Sequence, residues 1–168
     1  MSEHPLPNPT PEQEKARSLW GLAQGYFVQG DLPRAAATLE EAIELDPTFG
    51  HAHFNLSEIY LQMGELEDGL RHATEAIACD PDDADAHNNR GLALAQLERL
   101  DEAVKEFEKA VEKRPDFAMA RYNLGGAHYV RGREPQAVQE WQVFLELDPD
   151  SERAEQVRRI LRQPQGDS

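Results

Sequence analysis

The chain has 168 residues, of which 39% are hydrophobic, and its 17 Lys and Arg against 32 Asp and Glu give a formal net charge of −15. This acidity argues against nucleic acid as a partner, because phosphate backbones are bound by basic surfaces. No apolar run approaches the ~18 residues of a membrane helix and no signal-peptide core opens the chain, so we expect no membrane insertion. The single cysteine, Cys79, excludes an internal disulfide and favours a cytoplasmic location.

The first element in chain order is a proline-rich stretch, residues 1–9, which we expect to be a disordered tail. The next residues, Thr10 to Gln13, have the form of a capping box with Pro11 at the first helical position, and therefore predict a helix start. We expect a single domain over residues 10–162, followed by a second disordered tail over residues 163–168.

The domain repeats with a period of 34 residues, which is typical of stacked repeat proteins. Small residues recur at fixed positions, with large apolar residues between them at helical spacings of three, four and seven. A glycine or polar break divides each unit, so each is predicted to fold as helix, turn, helix. The predicted units are about 16–49, 50–83, 84–117 and 118–151, and their ends are marked by Pro47, Pro81, Pro115 and Pro149.

The ends of the predicted helices are also marked in the sequence. The residues that follow the four prolines can cap the next helices, and they are Thr48, Asp82, Asp116 and Asp150. After the last unit, an apolar stripe bordered by arginines predicts an amphipathic capping helix over about 152–162, as the end of a repeat array requires. The stripe consists of Ala154, Val157, Ile160 and Leu161.

These positions resemble the tetratricopeptide repeat family, whose 34-residue unit has this pattern of small residues, aromatics and a terminal proline. The resemblance covers residues 16–151, and the sequence departs from the pattern at Arg90 and Phe144. It implies an all-α fold, a right-handed α-solenoid or superhelix of antiparallel helix pairs. It also implies that the first helix of each pair lines a concave groove.

The resemblance further implies which side chains face that groove, and they include a row of asparagines and several aromatics. An amide both donates and accepts, so such a row can bind the backbone of an extended peptide, and aromatics are typical of binding hot spots. The alternative is that the asparagines brace neighbouring repeats and that some aromatics pack between first helices. Asn89 is the first candidate in the predicted peptide-binding groove, which consists of Trp20, Gln24, Phe27, Phe54, Asn55, Glu58, Asn88, Asn89, Tyr122, Asn123 and Tyr129.

Catalytic and metal sites are not predicted. On a helix, His51 and His53 point about 200° apart, and Gly21 and Gly25 belong to no phosphate-binding loop. We therefore expect no enzymatic activity, no cofactor and no metal. The remaining histidines are scattered over different units and are interpreted as ordinary surface or interface residues: His72, His87 and His128.

The predicted function is that of a non-enzymatic adaptor that binds a peptide or a partner helix in the concave groove. The alternative is a self-assembling structural module, a homo-oligomeric scaffold. Most of the acidic charge is expected on the solvated outer face, although an acidic patch would favour a basic partner.

Some members of the family hold the C-terminal carboxylate of heat-shock chaperones with a clamp of Lys, Asn and Arg. Here the basic positions of that clamp hold Trp20 and Asp85 in one register, or Phe54 and Met119 in the next. Two carboxylates of a bound chaperone tail would meet no cation at these positions. We therefore expect a partner other than a chaperone tail.

Overall fold

The computed structural model describes residues 8–162, and the two predicted tails lie almost entirely outside this range. Within it the chain is helical, with short turns and no strand. The nine helices of residues 8–162 are α1 (Pro11–Val28), α2 (Leu32–Leu45), α3 (Gly50–Met63), α4 (Leu66–Cys79), α5 (Ala84–Gln96), α6 (Leu100–Lys113), α7 (Ala118–Val130), α8 (Glu134–Leu147) and α9 (Glu152–Arg162).

The helices belong to two compact units, unit 1 (Met1–Pro81) and unit 2 (Asp82–Ser168). In unit 1, α1 pairs with α2 and α3 with α4, while α2 packs on α3. In unit 2, α5 pairs with α6 and α7 with α8, while α6 packs on α7 and α8 on α9. Each antiparallel pair corresponds to one predicted 34-residue unit, although α1 already begins at Pro11, before the first unit. The pairs α1–α2 to α7–α8 are called repeats 1 to 4 below.

The predicted capping box at the start of α1 is present. The Thr10 side chain accepts a hydrogen bond from the Gln13 amide, and the Gln13 side chain accepts one from the Thr10 amide. The caps predicted after the four prolines are wrong, because each proline forms a turn with the residue after it and one further residue precedes the next helix. Asp83 caps α5 and the Ser151 hydroxyl bonds the Ala154 amide of α9, whereas α3 and α7 have no side-chain cap.

In repeats 3 and 4, a glycine of the first helix packs against an aromatic ring of the second helix. Unit 2 shows the closest approach, because Gly91 and Gly125 lie against the rings of Phe107 and Trp141. A Cβ added at Gly91 would lie 2.5 Å from Phe107 Cε1, nearer than real Cβ contacts allow. The aromatic rings occupy the volume that the glycines leave free, as close packing of a protein interior requires.

The predicted capping helix covers the apolar end of repeat 4. Phe144 of α8 is fully buried in a cluster that contains Ala154 and Val157 of α9. A large residue is therefore accommodated at this departure from the family pattern, because α9 packs over it.

Candidate functional site

Unit 2 contains an open groove of about 710 Å³, lined mainly by α5, α7 and the turn after α5, with further residues from α6, α8 and α9. Leu92, Gly126 and Ile160 occupy equivalent positions 34 residues apart on α5, α7 and α9, and all three line the groove. A Cβ added at Gly126 would meet no atom within 4 Å. The free volume at the middle of the groove therefore comes from the missing side chain of Gly126.

The walls of the groove are mainly apolar, and several of them are open to solvent. Tyr129 is 43% exposed and Val130 is 67% exposed, although both are large and hydrophobic. Behind them, the Trp141 indole donates a hydrogen bond to the Tyr122 carbonyl at 3.1 Å and packs against the Tyr129 ring at 5.4 Å. The groove has the size and the apolar character of ligand sites in proteins.

The polar groups of the groove are few, and some already bind other side chains. Asn123 Nδ2 donates to Asn88 Oδ1 at 2.9 Å, and the Tyr122 hydroxyl lies 3.4 Å from Gln156 Oε1. Glu98, in the turn after α5, also lines the groove. A ligand would therefore meet apolar surface at the centre and polar groups at the edges.

The equivalent face of unit 1 is closed. Trp20 Nε1 and Gln24 Nε2 both donate to Asn55 Oδ1, at 2.6 and 3.1 Å. Gln24 and Glu58 stand where unit 2 has Leu92 and Gly126. The cavity that these side chains leave is only about 10 Å³, barely the volume of one water molecule.

The predicted groove residues are thus distributed between the two faces. Tyr122, Asn123 and Tyr129 line the open groove of unit 2. Asn55 and Asn123 each bond a neighbouring first helix, as in the bracing alternative, while Asn88 and Asn89 are only 5% and 8% exposed. The half-buried residues Trp20, Gln24, Phe27, Phe54 and Glu58 belong to the first helices of unit 1.

Sequence reasoning missed Glu98, Gly126 and Ile160 as parts of the site. The 34-residue spacing of Leu92, Gly126 and Ile160 was available in the sequence and relates α9 to the first helices. A glycine within a repeat is usually a packing position, so that spacing alone does not distinguish Gly126 from the tightly packed Gly125.

A buried polar network joins the two helices of repeat 3. His87 Nδ1 lies 2.8 Å from Glu106 Oε2, while Arg90 and Lys109 donate to Glu106 Oε1 at 3.2 and 3.0 Å. Burial alone would raise the pKa of Glu106, but the hydrogen bonds from His87 and Lys109 and the charge of Arg90 lower it. Arg90, a departure from the family pattern, is explained by this ion pair.

Repeat 2 has a buried histidine pair at the equivalent positions. His53 Nδ1 and His72 Nδ1 are 3.1 Å apart, and His53 Nε2 lies 3.1 Å from the Pro47 carbonyl. Because a carbonyl only accepts, His53 Nε2 carries a proton, and His53 Nδ1 accepts from His72. His72 Nε2 is then an unprotonated, buried nitrogen without a hydrogen-bond partner, and burial lowers the pKa of His72 to about 4.

Among residues 8–162, no group of three or more His, Cys, Asp or Glu side chains has the arrangement needed to hold a metal ion. Over the same range, no helix combines the length and the apolar character that crossing a membrane requires. The groove of unit 2 is therefore the candidate site that the geometry supports.

Several solved structures resemble this chain. A crystal structure of MamA has a TM-score of 0.74 and 24% identity, over 86% of this chain and 81% of that chain. YrrB, described as a TPR protein with an unusual peptide-binding site, has a TM-score of 0.75 and 22% identity, over 86% and 74%. The first TPR domain of Spaghetti (RPAP3), bound to the HSP90 peptide SRMEEVD, has a TM-score of 0.70 and 23% identity, over 71% and 95%.

These structures confirm the predicted all-α solenoid fold of antiparallel helix pairs. No curated protein sequence matches the chain. The sequence model of the tetratricopeptide repeat matches residues 13–48, 21–84, 54–116 and 98–152, which together span all four helix pairs. With its period, its small-to-large packing and its helix pairs all in agreement, the chain belongs to the tetratricopeptide repeat family.

Proposed function

We propose that the chain is a non-enzymatic adaptor whose unit 2 groove binds a short segment of a partner protein. The observation that carries the proposal is the groove itself, about 710 Å³ of open, mainly apolar space. Peptide binding by related folds supports it in general terms, since RPAP3 was solved with a bound peptide and YrrB is described as having a peptide-binding site. No part of the proposal requires a catalytic group.

The apolar walls set the strength of binding that we expect. Each large apolar side chain that moves from water into the groove contributes roughly 1.5–3 kcal/mol. A groove of this size accepts two or three such side chains, while association itself costs roughly 4–15 kcal/mol. We therefore expect weak, reversible binding, as an adaptor that exchanges partners would need.

The test fills the groove without disturbing the fold. Gly126→Leu places a side chain in the open space of the groove, where an added Cβ meets no atom within 4 Å. The matched control is Gly25→Leu, because Gly25 also lies within a helix, faces open space and is outside the groove. The probe is a set of peptides enriched from a random-peptide display library on the wild-type protein.

We expect these peptides to bind the wild type and Gly25→Leu with similar Kd, and Gly126→Leu at least tenfold more weakly. Circular dichroism would verify that both variants keep the helical fold. Failure of any peptide to be enriched, or equal binding to Gly126→Leu, would refute the groove as a binding site.

Self-assembly remains the alternative prediction for this chain. Sedimentation velocity over a hundredfold range of concentration separates the two functions, because an adaptor of the proposed kind stays monomeric. We also propose a cytoplasmic location, where a reducing environment keeps the exposed thiol of Cys79 free.

A further inference from the structure

We infer that the partner segment is an amphipathic α-helix with a Lys or Arg at one end, and that Glu98 binds this cation. The inference rests on the proposed function of the unit 2 groove. It goes further, because it specifies the conformation and the charge of the bound segment and the end of the groove that its cation occupies.

Few polar side chains line the groove away from Gln96 and Glu98 at the end of α5, and this favours a helix over an extended peptide. An extended segment would bring unpaired backbone amides and carbonyls against the apolar walls, and buried groups of this kind are costly. Asn123, which could bond such a backbone, already donates to Asn88, and the Trp141 indole already donates to the Tyr122 carbonyl. A helix satisfies its own backbone, so it can present apolar side chains alone.

Glu98 stands at an unusual place in the repeat. The turn between the two helices has a left-handed backbone in all four repeats, with φ of +78° at Gly30, +80° at Gly64, +60° at Glu98 and +68° at Gly132. Glycine adopts this conformation freely, whereas a side chain with a Cβ is strained there. Repeat 3 therefore keeps a glutamate where folding alone favours glycine.

The fold gives Glu98 no visible compensation for this strain. In the part of the chain that the structure describes, its carboxylate has no hydrogen bond or ion pair, and the residue is exposed and lines the apolar groove. Strained residues that line a cleft are often functional. A carboxylate beside an apolar groove fits a segment that combines large apolar side chains with a cation.

The charges of Glu98 and Arg153 indicate which end of the groove the cation of the bound helix occupies. Glu98 follows the C-terminal end of α5, on the same side as Tyr129 in the last turn of α7. At the Tyr122 end, the Arg153 guanidinium lies 5.8 Å from the Tyr122 ring. Tyr122 and Tyr129 are seven residues apart, or about 10 Å along a helix, so the groove holds about two turns of a partner with its cation at the Glu98 end.

The experiment uses three labelled model helices that share one apolar face, with residues at i, i+3, i+4 and i+7. Their ends carry two Lys, two Gln or two Glu, and Kd is measured by fluorescence anisotropy. We expect the Lys peptide to bind the wild type roughly threefold to tenfold more tightly than the Gln peptide at low salt, with a smaller ratio at 0.5 M NaCl. The Glu peptide should bind most weakly.

Two variants of Glu98 separate charge from strain. Glu98→Gln keeps the side chain and should abolish the preference for the Lys peptide. Glu98→Gly should abolish it too, but should also raise Tm by roughly 2–4 °C because the strain is removed. Glu112→Gln removes an exposed charge from α6, outside the groove, and should keep the preference.

The outcomes distinguish this inference from the proposed function. Equal binding of the three peptides, or a Lys preference that survives in Glu98→Gln, would overturn the role of Glu98 while leaving the groove intact. A proline in the middle of the Lys peptide should weaken binding at least tenfold, and undiminished binding would overturn the helical conformation. Binding of all three peptides to Gly126→Leu as tightly as to the wild type would instead refute the groove.

Discussion

Repeats 2 and 3 are neighbours in the sequence, yet they join their two helices with different polar pairs. Repeat 2 uses His53 and His72, and repeat 3 uses His87 and Glu106 at positions 34 residues later. The histidine pair keeps its hydrogen bond only while both rings are neutral. A proton added to His53 Nδ1 would face the N–H of His72, and a proton added to His72 Nε2 would be buried without an acceptor. The Glu106 network instead holds a buried carboxylate ionised. Equivalent positions of the same repeat thus hold two kinds of polar pair, and the stability that each contributes depends differently on pH.

The same two repeats differ in packing and in their exposed faces. Ser57 and Ala73 of repeat 2 are replaced by Gly91 and Phe107 in repeat 3. The larger side chain of the pair therefore lies on the first helix in repeat 2 and on the second helix in repeat 3. At the turn, Gly64 is replaced by the strained Glu98. Gly91 and Phe107 keep the two helices in close contact, whereas Glu98 places a strained backbone in the turn. We therefore associate Glu98, and not the change in packing, with binding.

The largest effect is expected when the network of repeat 3 is broken. Glu106→Ala removes a buried carboxylate that has three side-chain partners, among them Nδ1 of His87, which is 4% exposed. Loss of one partner from a buried, hydrogen-bonded charge cluster typically destabilises by about 3–5 kcal/mol. Urea unfolding followed by circular dichroism would measure the change.

The control for this substitution lies on the same helix. Glu108 is exposed, and Glu108→Ala should change the free energy of unfolding by no more than about 0.5 kcal/mol. If Glu106→Ala were equally mild, the network of repeat 3 would be irrelevant to stability and the contrast with repeat 2 would disappear.

The histidine pair of repeat 2 predicts a loss of stability in acid. Burial, followed by the charges of Arg71 and His53, lowers the pKa of His72 from 6.5 to about 4, and only Asp68 opposes this. The unfolded chain therefore takes up the proton first as the pH falls. The stability present above pH 6.5 should be lost between about pH 6.5 and pH 4, by roughly 3 kcal/mol in total.

Variants isolate this contribution from the other groups that titrate over the same range. His72→Gln should flatten the slope of unfolding free energy between pH 7 and pH 4, whereas His51→Gln, at an exposed position, should keep it. His72→Glu would install in repeat 2 the pair found in repeat 3 and should also flatten it. Identical slopes for the wild type and His72→Gln would show that the histidine pair does not sense pH.

The sequence predicted the fold well because the signals for it are local. Small residues such as Gly91, and large ones such as Phe107, recur at helical spacing, and this periodicity is enough to predict paired helices. The caps were displaced by one residue because the length of the turn after each proline is set by how two helices meet. Asp83 and Ser151 are therefore visible as caps only in three dimensions.

The site was less predictable, because it depends on distances between helices. The periodic pattern places Asn55 and Asn123 on one face, but it does not show that a neighbouring helix lies within hydrogen-bond distance of each. The groove arises from the absence of a side chain at Gly126, and a sequence does not distinguish an empty position from a tightly packed one. The 19-residue separation of His53 and His72 is a signal that the sequence does contain, since it recurs in the pair His87 and Glu106.

The smallest expected effect concerns the packing of Gly91 against Phe107, the pair that stands at the positions of Ser57 and Ala73 of repeat 2. Helix propensity alone predicts that Gly91→Ala stabilises the protein by about 1 kcal/mol. We expect it to destabilise by about 1–2 kcal/mol instead, because the new Cβ would lie 2.5 Å from Phe107 Cε1 and 2.7 Å from Phe107 Cδ1. The control is Gly21→Ala in α1, where an added Cβ meets no atom within 4 Å. Helix propensity should therefore make this variant more stable than the wild type.

A double substitution determines whether the two positions of this pair act together. Gly91→Ser with Phe107→Ala reproduces in repeat 3 the pair Ser57 and Ala73 of repeat 2. Since the smaller side chain at 107 removes the clash that serine creates at 91, the double variant should be less destabilised than the sum of the single variants, by about 0.5–3 kcal/mol. Strictly additive changes in the free energy of unfolding, measured in urea, would mean that the ring of Phe107 moves aside without cost. The side-chain sizes at positions 91 and 107 would then be independent of each other.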